Sequence, residues 1–380
     1  MASTVTWDGL RDLARFRAQN GCAISLYLDL DPSETPTAAD ASTRMNALLD
    51  EVDRSDAAKR PDMTHEQREG LRSDVARLRA FFEQDFDRDG AHGMAIYAAW
   101  LDNVWRTQAL SEPVPDVVRV SGSFYLAPLV PLVGRGEGAL VAAVGRERGD
   151  IYRLRAGRLE ELVDQFDEQH GRHDQGGWSQ SRYQRHIEKL VHDHFRDVAD
   201  LIDRYVRELG GPRLVIVAAD ETRGELEDHL SHEVRKAVIG WTHAKAQATP
   251  SELYAAVQPF LEQWRTQQET EAVERWREEA GRDGRAASGW APTLEAASDG
   301  RVEQLLFQDG ANRKAWECPA CGRLASEAGT CPLDGTQMEE SAEGLDLAVH
   351  QTLAHGGTIW AVRTRNDLEP VEGIGALLRF

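Results

Sequence analysis

Cysteine is scarce in this chain: 380 residues hold only Cys22, Cys318, Cys321 and Cys331. So few thiols make no disulfide framework, which fits a reducing cytoplasm. Long apolar runs are missing too, and none approaches the roughly 20 residues that cross a bilayer. The opening "MASTVTWDGLRDLARF" lacks a basic region followed by an apolar core, so no signal peptide is expected. Net positive charge is absent: the balance is −20, with a pI near 5.1. This argues against broad non-specific binding to nucleic acid, so any RNA contact falls to local basic patches. Low-complexity bias and internal repeats are also lacking. So are His-Glu-x-x-His, a Ser-His-Asp order and a phosphate loop. "GRGEG" (134–138) lacks the third glycine and following helix of a dinucleotide fingerprint.

What is present reads as two or three soluble α/β domains, given the length. The N-terminal part opens with a helical pattern at Leu10, Leu13 and Phe16. "CAISLYLDLDP" then reads as a β-prone run ended by Asp-Pro. Asp29 and Asp31 at its end are turn formers rather than catalytic acids. "RMNALLDEV" and "REGLRSDVARLRAFFEQDF" have helical spacing. "GMAIYAAW", "NVWRTQAL" and "DVVRVSGSFYLAPLV" read as strands, completing a domain over 1–134. Past the glycines, "ALVAAVGRE", "IYRLRAG" and "LEELVDQF" are short strand candidates.

Next comes the longest helical stripe in the chain: Ile187, Leu190, Val191, Phe195, Val198, Leu201, Ile202, Tyr205 and Leu209. Gly210-Gly211-Pro212 stops it. "RLVIVAAD" is a buried strand, and a helix follows from Glu221. The middle domain runs over 135–270. A long helical stretch from Ser251 carries Pro259 as an expected kink, and "GRDGRAASGWAP" breaks it. The last domain, 271–380, alternates "VEQLLFQ", "LDLAVHQTLAHGG", "TIWAVRT" and "GIGALLRF" around an insertion at about 316–338.

That insertion reads "WECPACGRLASEAGTCPLDGTQM". Cys318 and Cys321 form a CxxC knuckle, with Gly322 letting the backbone turn. Cys331 starts a second knuckle, in which Asp334 stands where a fourth cysteine would. Zinc takes about four N, S or O ligands in a tetrahedron, and Cys318, Cys321, Cys331 and Asp334 would supply them. The alternative is a ribbon that keeps its turns without metal. A redox CxxC fits less well, since that motif opens a helix after a strand. Either way the insertion is a staple or docking surface rather than a reaction centre. His186, His192 and His194 lack the i, i+4 spacing that puts ligands on one helical face.

The stretch "HDQGGWSQSRYQRHIEKL" (173–190) leads into the long helix. Gly176 and Gly177 permit positive φ and close backbone approach to a partner. Arg172, Arg182 and Arg185 make the tip locally positive on an acidic protein, and Trp178 and Tyr183 can stack on bases. A positive, pliant, aromatic-bearing tip suits RNA; an ordinary surface loop before a helix is the other possibility.

The passage resembles the glycine-glycine-glutamine loop of the archaeal and eukaryotic class I peptide chain release factors, whose loop likewise runs through Ser, Arg, an aromatic and Arg into a long helix. Gly176, Gly177, Ser179, Arg182, Tyr183 and Arg185 match. Trp178 stands where that family has its glutamine, and Gln180 follows two positions later. The Gly-x-x-Gln order is similar to the peptidyl-tRNA hydrolases of ribosome quality control and to the bacterial branch of the superfamily. The order of domains and the cysteine insertion extend the resemblance over nearly the whole chain.

It implies a ribonuclease H-like α/β middle domain and a zinc ribbon in the C-terminal α/β domain. It also implies hydrolysis of the peptidyl-tRNA ester by water that Gln180 helps place. This is catalysis by positioning, which needs no strong base. Gly176 and Gly177 would shape the loop. Arg172, Arg182, Arg185, Trp178 and Tyr183 would contact rRNA. The implied partners are the large subunit's peptidyl transferase centre, peptidyl-tRNA and a translational GTPase. No codon-reading motif stands out in the N-terminal part, which favours codon-independent rescue. The alternative is a hibernation factor that fills the vacant ribosomal A site without chemistry.

Overall fold

The computed structural model describes residues 5–380 apart from 55–62, 89, 111, 134–137, 156–157, 164–179, 246–247 and 283. For 53, 163 and 180–188 it describes the backbone alone. By packing, the chain forms two compact units, one of Met1–Gly134 with Thr266–Phe380 and one of Arg135–Arg265.

Helix α1 (Trp7–Ala14) starts at Thr6, whose side chain accepts the Gly9 amide at 3.0 Å, satisfying one donor of the first turn. Strand β1 (Ala23–Asp29) is followed by helices α2 (Ala38–Arg54) and α3 (His65–Gln84), the latter opened by a Thr64–Gln67 capping box. Strands β2 (Gly93–Ala99), β3 (Val104–Leu110) and β4 (Val117–Ser121) complete an antiparallel sheet ordered β3-β2-β1-β4. Both faces of β1 are buried. Ile24, Leu26 and Leu28 pack against Met45, Leu49, Leu78 and Phe82 of α2 and α3, while Ala23 and Tyr27 face a second core. The apolar run expected to continue as strand to Val130 stops at Ser121. Residues Ala127–Leu132 are a 3-10 turn instead, because Pro128 and Pro131 cannot donate to a ladder.

In the middle unit, strands β5 (Leu140–Val144), β6 (Gly149–Arg155) and β7 (Arg158–Val163) precede the long helix α4 (Gln180–Glu208). Strand β8 (Leu214–Ala218), helices α5 (Asp220–His229) and α6 (His232–Ala237), and strand β9 (Val238–Thr242) follow. The sheet order is β7-β6-β5-β8-β9, antiparallel from β7 to β5 and parallel from β5 to β9. One face packs Leu140, Ala142 and Ile216 on Phe195, Val198 and Ile202 of α4 and on Leu226 and Val234. The other packs Val141, Tyr152 and Val215 on Leu253, Val257 and Leu261 of helix α7 (Pro250–Gly281). That helix runs on through Pro259. No helix among the described residues is long and apolar enough to cross a membrane.

The C-terminal segment contains strand β10 (Ala286–Ser288), helix α8 (Trp290–Ser298) and strand β11 (Val302–Gln308). Strands β12 (Ala315–Glu317), β13 (Leu324–Ala325) and β14 (Glu339–Ser341), helix α9 (Gly344–Ala354), and strands β15 (Thr358–Val362) and β16 (Ile374–Leu378) follow. They form a sheet ordered β10-β16-β11-β15 and a small antiparallel sheet ordered β13-β12-β14.

The two outer segments of the sequence share one core. Leu10, Tyr27, Tyr97 and Leu126 pack with Leu294, Leu345, Val349 and Ile374. A buried polar link crosses the same seam. Asp346 Oδ1 accepts the amides of Leu126 at 2.7 Å and Ala127 at 3.0 Å, and Asp346 Oδ2 lies 3.5 Å from His350 Nε2.

Candidate functional site

The four donors expected to bind metal come together on the small sheet. Cys318 leaves β12 and Cys321 turns back toward β13, so the first knuckle is the connection between two paired strands. Gly322 donates its amide to the Cys318 carbonyl at 2.8 Å, and Gly335 repeats the turn on Cys331 at 2.9 Å. Both glycines have positive φ, 75° and 74°, a conformation that disfavours a Cβ. The ligand atoms of Cys318, Cys321, Cys331 and Asp334 all lie within 4.8 Å of one another. Cys318 Sγ is 3.4 Å from Asp334 Oδ2, and Cys321 Sγ is 3.5 Å from Cys331 Sγ. Around a tetrahedral zinc with Zn–S near 2.3 Å, sulfurs sit about 3.8 Å apart, so the spacing fits. Thr336 donates its amide to Asp334 Oδ1 at 2.8 Å and holds that carboxyl well below its ordinary range. Asp334 is therefore an anion at neutral pH, as a cation ligand must be.

Gly176, Gly177, Trp178 and Arg172 lie outside the described residues. Gln180 is the first residue of α4, and Arg182, Tyr183 and Arg185 lie on its opening turns. At 1.5 Å per residue, this helix of 29 residues is about 44 Å long. Phe195 is fully buried, and about 22 Å of helix separates it from Gln180. Leu190, between them, is 38% exposed. Among the described side chains, the sheet's grip on α4 first buries a residue fully at Phe195, with Val191 partly buried at the edge of that contact. Gly149 is part of that grip: a Cβ there would sit 2.6 Å from Val198 Cγ2, so only glycine admits the helix this close. The N-terminus of a helix also offers unpaired amides and the positive end of its dipole, both suited to phosphate.

His192 and His194 of α4 do other work. His194 Nε2 lies 3.0 Å from the Gly145 carbonyl, and His192 packs edge-on against His229 at 4.5 Å. Asp29 and Asp31 are turn formers, as expected: Asp29 Oδ1 accepts the Asp31 amide at 2.8 Å, and Asp31 Oδ1 accepts the Ser33 amide at 2.8 Å.

Asp346 and Asp74 are among the buried carboxylates that escaped the sequence reading. Asp346 and His350 stand at i, i+4 within "LDLAVHQTLAHGG", a spacing that could have flagged them. Asp74, 1% exposed on α3, accepts the Trp100 amide through Oδ2 at 2.9 Å, while its Oδ1 has no partner. Burial raises its pKa to about 6.

Residues 125–260 match the model of the bacterial archaeo-eukaryotic release factor family 10. Over 405 aligned positions the chain is 24% identical to peptide chain release factor subunit 1 of Archaeoglobus fulgidus, covering 98% of this chain and 96% of the archaeal protein. An uncharacterized protein of Mycobacterium tuberculosis is 24% identical over 340 residues, 87% of this chain and 90% of that one. Among solved structures, ribosome-bound archaeal Pelota with ABCE1 is matched over 76% of this chain and 77% of that one, at 17% identity and a TM-score of 0.44.

Proposed function

From a chain that is similar to the bacterial archaeo-eukaryotic release factors, we propose a ribosome-associated factor that releases or rescues stalled peptidyl-tRNA by hydrolysing its ester, without reading a codon. The observation that carries this is Gln180 as the first residue of α4, with Gly176-Gly177 just before it in sequence, inside the segment that matches the family model. In this proposal α4 is a rigid arm whose anchored half lies in the middle unit. Gln180 positions the attacking water, with Gly176 and Gly177 allowing close approach. Arg172, Arg182 and Arg185 neutralise rRNA phosphate, and Trp178 and Tyr183 stack on bases. The amide serves as a positioning group, so the site needs no ionising base. A translational GTPase as delivery partner, a ribonuclease H-like middle domain and the three-part division at 134 and 270 belong to the same proposal.

Zinc, in this proposal, is structural and held by Cys318, Cys321, Cys331 and Asp334. Bound there, it cross-links two knuckles whose sheet is otherwise small. Protein purified without chelator should carry about one zinc per chain, and a folded, metal-free chain would remove the claim.

The deciding assay uses ribosomes loaded with peptidyl-tRNA. The parent should release peptide, and Gln180→Ala should keep ribosome binding while losing on the order of a hundredfold or more in rate. Trp178, which occupies the position of the family's usual glutamine, favours a second reading: A-site occupancy without chemistry. A parent that binds ribosomes and never hydrolyses would establish that reading and end the first.

A further inference from the structure

The three sulfurs of the cluster differ in access. Cys321 is exposed, whereas Cys318 and Cys331 are buried. They also differ in neighbours. Sequence alone pairs Cys318 with Cys321 as a CxxC. The fold instead sets Cys321 Sγ 3.5 Å from Cys331 Sγ, and Cys318 Sγ faces the Asp334 carboxylate at 3.4 Å and 3.7 Å. An exposed thiol beside a buried second thiol is the arrangement of an attacking and a resolving cysteine. Closing the pair to an S–S bond of about 2.05 Å moves the two sulfurs together by about 1.5 Å. With a carboxylate in place of a fourth thiolate, loss of this pair leaves only Cys318 and Asp334 as ligands, half of what zinc takes.

We propose that Cys321 and Cys331 form an oxidative modification site, at which hydrogen peroxide closes a disulfide and releases the metal. The inference rests on the zinc reading above. In the first step the Cys321 thiolate attacks a peroxide oxygen and the O–O bond breaks. Cys321 becomes a sulfenic acid, and the departing hydroxide takes a proton to become water. In the second step the Cys331 thiolate attacks the Cys321 sulfur. The S–S bond forms, the S–O bond breaks, and the hydroxide leaves as a second water after protonation. The two sulfurs together lose two electrons and the peroxide gains them. Zinc, which has no redox chemistry of its own, departs as the aqua ion.

The test starts from full-length protein purified under argon, with zinc and thiols counted first. Peroxide is then added in stoichiometric steps. Zinc release is followed with a chromogenic chelator, and the disulfide is located by peptide mass without reduction. The expected result is about one zinc released for each Cys321–Cys331 link, reversed by dithiol and fresh zinc. Cys331→Ser should instead accumulate sulfenic acid at Cys321, trapped by dimedone, with no internal disulfide. Should that variant fail to fold, the parent's peptide map still decides. Zinc that stays bound while Cys321 is oxidised overturns the proposal, as does a link between Cys318 and Cys321. A chain without zinc before peroxide defeats the metal reading, whereas the position of the cross-link tests the pair by itself.

Discussion

Truncating Asp346 to alanine tests the seam between the two outer segments of the sequence. The carboxylate is 7% exposed and accepts two buried amides, from Leu126 and Ala127. Each amide stranded without a partner costs about 1–3 kcal/mol. The change also removes the carboxyl oxygen that lies 3.5 Å from His350 Nε2. Both ring nitrogens of His350 still face backbone carbonyls, Ala14 at 3.2 Å and Phe124 at 2.7 Å. The two stranded amides together make a loss of about 2–6 kcal/mol. Against a total of about 5–15 kcal/mol this is severe. Asp346→Asn keeps an acceptor for the amides and should cost about 1 kcal/mol. Denaturant unfolding gives the totals, and amide exchange at Leu126 and Ala127 gives the place. Exchange there should quicken in the alanine variant. A midpoint for Asp346→Ala close to that of the parent would refute the reasoning.

Asp74 carries a pH prediction. Its carboxyl is raised by burial to about 6 in the folded chain, so the folded state holds the proton more tightly than the unfolded one. Stability from this group is therefore greatest below about pH 4 and is lost as pH rises through 6. Asp74→Asn should flatten that slope. At pH 7 it should gain on the order of 1–3 kcal/mol, since each pKa unit is worth about 1.4 kcal/mol. Thermal melts from pH 4 to 7 check both, and a steeper slope in the variant would count against it. Gly149→Ala should cost about 1–3 kcal/mol by overpacking against Val198, read as a lower unfolding midpoint. Arg182→Ala should weaken ribosome association and reduce its salt dependence, measured by pelleting across a salt series; an unchanged salt slope would argue that Arg182 makes no phosphate contact.

Elements with long, one-sided patterns were legible in the sequence. The stripe from Ile187 to Tyr205 lies on α4, with Leu209 just past its end, and "RLVIVAAD" contains β8, buried at every position. The grouping of Cys318, Cys321, Cys331 and Asp334 was legible from spacing, because knuckles are local. Some short elements were not. β9 contains Gly240, an apparent strand breaker, whose reason emerges only with Phe260: a Cβ at Gly240 would lie 2.1 Å from that ring. Helix α8 followed a Gly- and Pro-marked break and was missed. The shared core of the outer segments was invisible to any window, since Tyr27 and Val349 join one core only through tertiary packing.

That shared core bears on how the protein is made. A ribosome adds about 5–20 residues per second, and the partners of Tyr27 and Tyr97 that lie on α8, α9 and β16 are encoded near the end. For some tens of seconds after β1 and β2 emerge, the face that bears Tyr27 and Tyr97 has only α1 and residues 124–132 to cover it, without its C-terminal partners. The middle unit, drawn from the contiguous stretch Arg135–Arg265, meets no such delay and can fold while the first sheet is still half dressed. Newborn chains truncated before α9 are thus the form most exposed to chaperones and to aggregation, with the Tyr27–Tyr97 face as the sticky surface.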